Sequence, residues 1–207
     1  WTQSFNGQPA LGGGSTGANT GKGLWYGANV YKNAPIVGDV WGQVVYQTTD
    51  AHSGTYAAKL MDTEVGAMGI TEISPSWVTL GAPWASLNGI DTGSATAGTD
   101  GGIAFTARPD AMSVWVKRVS EGTEHINLVY YSWKGTSSAS SYKNSGGGCT
   151  STTHTDEESD IRTSTNPNSC GTNTYATQIA EARLNEKKVY NNWTEVKVPI
   201  RYYNDNI

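Results

Sequence analysis

Hydrophobic and polar positions alternate along several stretches of this chain, a pattern typical of β-strands that bury one face. The clearest stretch, residues 101–135, predicts two strands and a polar turn between them. The residues of its predicted core face are Met112, Val114, Val116, Ile126, Leu128 and Tyr130. The opposite face carries aromatic side chains where a solvent-exposed sheet usually carries polar ones. That face is therefore the main candidate for a ligand site.

Further strands are predicted before and after this stretch. They are residues 38–48, residues 56–61 after a polar turn at 50–54, and residues 193–202. Pro199 cannot donate to a strand ladder, so it marks an edge strand or a strand end. Strands separated by turns, with no repeats and no strong helix pattern, predict one all-β domain over residues 1–207, an antiparallel β-sandwich.

Residues 177–188 are ambiguous between helix and strand. Ile179, Ala180 and Leu184 lie near helical spacing, and propensity favours a helix. The segment also has a length that suits a strand, so both interpretations stay open at this point.

A long polar insertion is predicted at residues 135–173, because a stretch so rich in Gly, Ser, Thr and Asn cannot bury a core of its own. It contains both cysteines of the chain, Cys149 and Cys170. In an exported protein we expect them to form a disulfide that contributes on the order of 3 kcal/mol, mainly by restricting the unfolded chain. A metal site with His154 and Asp156 is the alternative, but the spacing matches no standard zinc pattern.

Charge and hydropathy exclude two classes of partner. The net charge is -4 and no basic run is present, which argues against nucleic-acid binding. No apolar run approaches the roughly 18 residues of a membrane span. The chain begins at Trp1 without a signal-like segment, as a mature exported protein or any trimmed chain would.

The aromatic composition favours a partner that is half apolar. Eight Trp and eleven Tyr stand against two Phe, and Trp and Tyr combine an apolar ring with a polar group. A sugar presents an apolar C–H face that stacks on such rings, while polar neighbours bind its hydroxyls. The predicted ligand-binding residues are Trp41, Trp84, Trp115, Lys117, Asn127, Tyr131 and Trp133. The alternative is that these rings belong to the core or cover the outer sheet beneath the loops.

Three stretches resemble known carbohydrate-related families. Residues 50–60, DAHSGTYAAKL, resemble the turn and strand that begin jelly-roll carbohydrate-binding modules. The motif Phe105-Thr-Ala-Arg-Pro109 with the strand that follows, and the closing strand 193–203, are similar to motifs of the carbohydrate metabolism domain of exported bacterial lipoproteins. The resemblance covers residues 45–134 and 190–207, about half of the chain.

This resemblance implies a β-sandwich of jelly-roll type, a strand at 177–185, and one or two further strands after Ile207. It also implies an exported protein of the periplasm or outer cell surface, with a lipid anchor. Jelly rolls commonly hold a structural Ca²⁺ near strand entries, for which Asp39 and Asp50 are the candidates, with turn capping as the alternative.

Three functions follow from these patterns, and the first is the main prediction. It is a noncatalytic carbohydrate-binding module of a bacterial glycan-utilisation protein. A glycoside hydrolase is the second; it needs two carboxylates roughly 5 Å apart for retention, and Asp62 and Glu64 are the candidate pair. The third is a structural or adhesive surface subunit whose sheet edge pairs with a protein partner.

Overall fold

The computed structural model describes residues 25–34, 38–67, 70–86, 96–119, 122–123, 125–143, 149–150, 154–155 and 169–203. These residues form β-strands and no helix, and the strands pair in small antiparallel sheets. The predicted all-β class is confirmed. The chain divides into two compact units, one of Trp1–Ile103 with Thr136–Tyr175 and one of Ala104–Gly135 with Ala176–Ile207. The single domain stays a prediction.

The first unit consists of short antiparallel pairs. Its strands are β1 (Tyr26–Gly27), β2 (Val30–Ala34), β3 (Gly38–Gly42), β4 (Val45–Thr48), β5 (Ala57–Leu60), β6 (Thr63–Ala67), β7 (Ile70–Ser74), β8 (Val78–Thr79), β9 (Ala82–Ser86), β10 (Thr96–Asp100), β13 (Ser138–Lys143), β14 (Cys149–Thr150), β15 (His154–Thr155) and β16 (Ser169–Thr174). β1 pairs with β8, and four hairpins join β2 to β3, β4 to β5, β6 to β7 and β9 to β10. β13 pairs with β14, β15 and β16.

A small buried cluster of Ala28, Val44 and Val45 holds the first of these strands together. The side chain of Asn29 lies beside it, and its Oδ1 accepts hydrogen bonds of 2.8 Å from the backbone N–H groups of Val44 and Val45. This amide takes the place of a strand partner where the chain passes from β3 to β4. The single strand predicted at 38–48 is therefore two strands.

The second unit contains two sheets. Its strands are β11 (Ala111–Arg118), β12 (Ile126–Lys134), β17 (Thr177–Glu186), β18 (Tyr190–Pro199) and β19 (Arg201–Tyr202). One sheet pairs β11 with β18, and the other has the order β12-β17-β19. The two strands predicted within residues 101–135 are present, but they do not pair with each other as a ribbon. The chain crosses from one sheet to the other between them.

One hydrophobic cluster lies between these two sheets, which explains the crossing. Val196 and Val198 of β18 are buried in it with Ala182 of β17, and Met112 and Leu128 pack against them. Tyr130 of β12 also packs against this cluster, on the face that the alternation predicted. Trp115, Tyr131 and Trp133 lie at positions of the other parity and point away from the core.

Residues 177–186 form a strand, so the helix favoured by propensity is wrong. Ala180 and Ala182 are buried, and Glu181 and Arg183, which alternate with them, face outward. This period of two fits the pairing of β17 with β12, which supplies ladder hydrogen bonds along nine positions. Tertiary pairing overrides a weak helix preference here.

The polar insertion connects β12 to β17, in the place where a hairpin would have its turn. Lys134 pairs directly with Thr177, and Gly135 has a φ of 85°, a left-handed conformation that favours glycine. The residues between these two positions carry the sheet of β13 to β16 in the other unit. The predicted insertion is thus present and has strands of its own.

The backbone register argues against the predicted disulfide. Cys149 of β14 pairs with Lys143, and Cys170 of β16 pairs with Ser141, on the opposite edge of β13. Two strand spacings, about 10 Å, separate such positions, and a disulfide spans at most about 7 Å between Cα atoms. The described part of the structure shows no disulfide, but both cysteine side chains lie outside it. The bond therefore stays a prediction.

Candidate functional site

The sequence-predicted ligand residues lie on two different outer faces of the second unit. Trp115 and Lys117 face outward from β11, and Asn127, Tyr131 and Trp133 face outward from β12. Because the hydrophobic cluster lies between the two sheets, these faces point in opposite directions and cannot form one site. The predicted set is therefore divided into two groups.

Trp41 and Trp84 belong to the first unit. Trp41 is in β3, opposite Tyr31, and Trp84 is in β9, opposite Gly98. Their side chains lie outside the described residues, so their part in a ligand site stays a prediction.

Tyr131 and Trp133 form a ring pair on the outer side of the β12-β17-β19 sheet. Their ring centroids are 6.2 Å apart and their planes are tilted by 43°. The register between β12 and β17 shifts between Ser132 and Trp133, a bulge of the kind that re-aims side chains. Both rings are half-buried, so each has a packed side and an accessible side.

Charged groups lie next to this ring pair on the same side of the sheet. Tyr131 pairs with Glu181 of β17, and Glu181 pairs in turn with Arg201 of β19, so the three form one row across the sheet. Arg183 belongs to the next outward position of β17, and its Nε lies 3.8 Å from Oε2 of Glu181.

Tyr203 completes this group beyond the end of β19. Its backbone N–H donates to the carbonyl of Ile179 at 2.8 Å, which fixes it beside β17. The hydrogen bond between its phenol and the Glu181 carboxylate raises the pKa of Tyr203. The guanidinium of Arg201 lies 5.5 Å from the centre of the Tyr203 ring, within the range of a cation–π contact.

Amide groups occupy the other end of the same surface. Asn127 and Asn185 are direct cross-strand partners, and the Asn185 Oδ1 hydrogen-bonds Nδ1 of His125. We call the whole surface the aromatic face. Its residues are Asn127, Tyr131, Trp133, Glu181, Arg183, Asn185, Arg201 and Tyr203. It combines rings that stack on apolar surfaces with amide, carboxylate and guanidinium groups that bind hydroxyls and anions.

The opposite outer face, on β11 and β18, carries a second tryptophan that the sequence-based prediction did not assign to a site. Trp115 is 46% exposed and pairs with Glu195. Trp193 has the same parity as Glu195 and Lys197, opposite to that of Val196 and Val198, so it lies on the outer side with them. The alternation in β18 was sufficient to find it.

Five residues of the aromatic face were missed from the sequence: Glu181, Arg183, Asn185, Arg201 and Tyr203. The first three would have been found if the period of two in β17 had been given more weight than propensity. Arg201 and Tyr203 lie beside β17 because the chain leaves one sheet for the other at Ile200, between β18 and β19. No local sequence pattern indicates this change of sheet.

The carboxylate pair proposed for catalysis lies in the first unit, at the start of β6. Oδ1 of Asp62 accepts hydrogen bonds of 2.7 Å from both the backbone N–H and the hydroxyl of Ser76. This ties the residue before β6 to the second residue after β7, which is a turn-stabilising role. Glu64 is exposed on β6. The catalytic assignment stays a prediction, and in the structure the Asp62 carboxylate accepts hydrogen bonds from Ser76.

The calcium candidates, Asp39 and Asp50, lie in the first unit. Asp50 is exposed, and its backbone N–H donates to the Thr48 hydroxyl at 3.2 Å. Asp39 is in β3 with its side chain outside the described residues. The described residues contain no group of three or more His, Cys, Asp or Glu side chains that could hold a metal. Calcium binding stays a prediction.

Comparison with known proteins adds no relative. The chain matches no protein-family model, no curated protein and no solved structure. In the described residues, no helix has the length and apolar character needed to cross a membrane.

Proposed function

We propose that this protein is a noncatalytic glycan-binding module and that the aromatic face is its binding site. The observation that carries the proposal is the Tyr131–Trp133 ring pair on an outer sheet face, beside amide and charged groups. The rings stack on the C–H faces of sugars, and Asn127, Asn185 and Glu181 bind hydroxyls. No bond is made or broken in this role.

The tilt of the two rings bears on the shape of the ligand. Planes that differ by 43° fit two sugar rings that are turned relative to each other along a chain. A flat crystalline surface would need coplanar rings. The proposed ligand is therefore a single glycan chain that twists between residues.

The proposal also includes the setting of the module. It is a jelly-roll β-sandwich of an exported bacterial glycan-utilisation protein, held by a lipid anchor in the periplasm or at the outer cell surface. Two sheets packed on one cluster support the sandwich part. The motifs at residues 50–60, 105–119 and 193–203 support the rest.

A structural or adhesive subunit is a second candidate, favoured by one observation. β11 and β18 form a sheet of two strands, and a sheet so narrow consists of edge strands alone. Such an edge can accept a strand from another protein.

The test is a glycan-array screen of the full chain and of three variants. Trp133→Ala and Tyr131→Ala each remove one ring, and we expect each to weaken binding about tenfold, equivalent to ~1.4 kcal/mol. Trp115→Ala is the matched control, because it removes an exposed ring from the opposite outer face. A folded protein that binds no glycan contradicts the proposal. Loss in Trp115→Ala alone would place the site on the other face.

A further inference from the structure

The aromatic face is positively charged in a chain that is negative as a whole. Arg183 and Arg201 lie on it with one carboxylate, Glu181. Among the described outward positions of β12, β17 and β19, Glu181 is the sole acidic residue. Glu186, the other acidic residue of β17, has the inward parity of Ala182 and Leu184 and bonds the Tyr190 phenol. The face has a surplus of positive charge, whereas the net charge of the chain is -4. An anion is therefore attracted to this face more than to the rest of the molecule.

Both guanidinium groups are available to a ligand. The contact between Arg183 Nε and Glu181 is 3.8 Å, longer than a hydrogen bond, and the Arg183 side chain is 42% exposed. Arg201 is exposed, and its contact with the Tyr203 ring uses the face of the guanidinium and not its N–H donors. In the part of the chain that the structure describes, neither guanidinium donates a hydrogen bond to another residue.

The geometry around Glu181 determines where an anion can bind. Its own charge repels an anion placed directly beside Tyr131. Arg183 and Arg201 lie on different sides of it, one along β17 and one across on β19. A planar guanidinium binds a planar carboxylate through two parallel N–H···O bonds.

We propose that the aromatic face binds a glycan that contains uronic acids. Tyr131 and Trp133 stack on its rings, and Arg183 and Arg201 bind its carboxylates. This inference rests on the proposed function and specifies the ligand class for the same site. The charge complementarity of the face, with two arginines against one glutamate, selects this ligand over a neutral glycan.

The experiment measures affinity of the full chain for polygalacturonate, alginate and hyaluronan, with fully methyl-esterified polygalacturonate as the uncharged match. We expect at least one of the three acidic polymers to bind, and the acidic form of polygalacturonate to bind about tenfold tighter than its ester if it is the ligand. Arg183→Gln and Arg201→Gln should each weaken acidic binding about fivefold or more. Lys197→Gln, on the opposite outer face, is the control and should change nothing.

The outcomes separate this inference from the proposed function. Binding of neutral glycans alone, with loss in Trp133→Ala, overturns the uronic-acid ligand and leaves the glycan module intact. Binding of no glycan overturns both. Tighter binding of dextran sulfate, lost in the same arginine variants, replaces carboxylate with sulfate and overturns the inference. Acidic binding that persists in both arginine variants overturns it as well.

Discussion

Asn29 shows how a single amide can organise the backbone around it. It is 2% exposed, and both hydrogen bonds to its Oδ1 come from backbone groups that are themselves buried. A backbone N–H buried without an acceptor costs about 1–3 kcal/mol. The side chain is therefore a structural part of the chain passage from β3 to β4.

Replacing Asn29 by Ala should strongly destabilise the protein. The change leaves the N–H groups of Val44 and Val45 without their acceptor, and we expect a loss of about 2–4 kcal/mol in the free energy of unfolding. Asn192→Ala removes an exposed amide and is the control, with an expected change within about 0.5 kcal/mol. Urea denaturation measures both. Equal stability of the two variants would show that water replaces the amide.

At the scale of strands, Arg118 joins two connections that cross between the sheets of the second unit. Its guanidinium donates to the carbonyls of Lys187 and Lys188, and on the other side to that of Gly122 at 3.2 Å. The same end is closed by the bond from the Tyr190 phenol to Glu186, which raises the pKa of Tyr190. One end of the two-sheet structure is thus held by polar contacts.

Arg118→Met keeps the apolar stem and removes the donors. We expect it to lower the free energy of unfolding by about 1–2 kcal/mol and to speed amide exchange in residues 187–189. Lys197→Met, which removes an exposed charge from the same sheet, should have an effect within about 0.5 kcal/mol. If exchange at 187–189 is unchanged in Arg118→Met, the contacts to these carbonyls do not hold the connection.

The strands were more predictable from the sequence than their partners. The alternation of Met112 with Ser113 fixes which face of β11 is buried, because it depends on neighbouring residues alone. That β11 pairs with β18 depends on residues about eighty positions away, and no local pattern carries that information. For the same reason Tyr131 was found from the sequence, whereas its neighbour Arg201 was not.

At the scale of the whole molecule, the second unit is made of two separate pieces of chain. Residues 104–134 and 177–207 contribute all five of its strands, and its cluster draws on both pieces. The pairing of Lys134 with Thr177 brings the two pieces to the distance of a tight hairpin turn. The aromatic face lies entirely within this unit.

The second unit should therefore fold without the insertion and without the first unit. A shortened chain of residues 104–134, Asn-Gly and 177–207 replaces the insertion by a two-residue turn of the kind that closes hairpins. A domain of about 60 residues is marginal, so we expect an unfolding free energy of roughly 2–4 kcal/mol and dispersed amide signals in its NMR spectrum. Val196→Asp in the same chain places a charge in the buried cluster, and this control should be unfolded.

Since Tyr131, Trp133, Arg183 and Arg201 are all retained, the shortened chain should keep the glycan affinity of the full protein. A spectrum of an unfolded chain would mean that the cluster between the two sheets is too small to stabilise them alone, and that the first unit contributes to their stability.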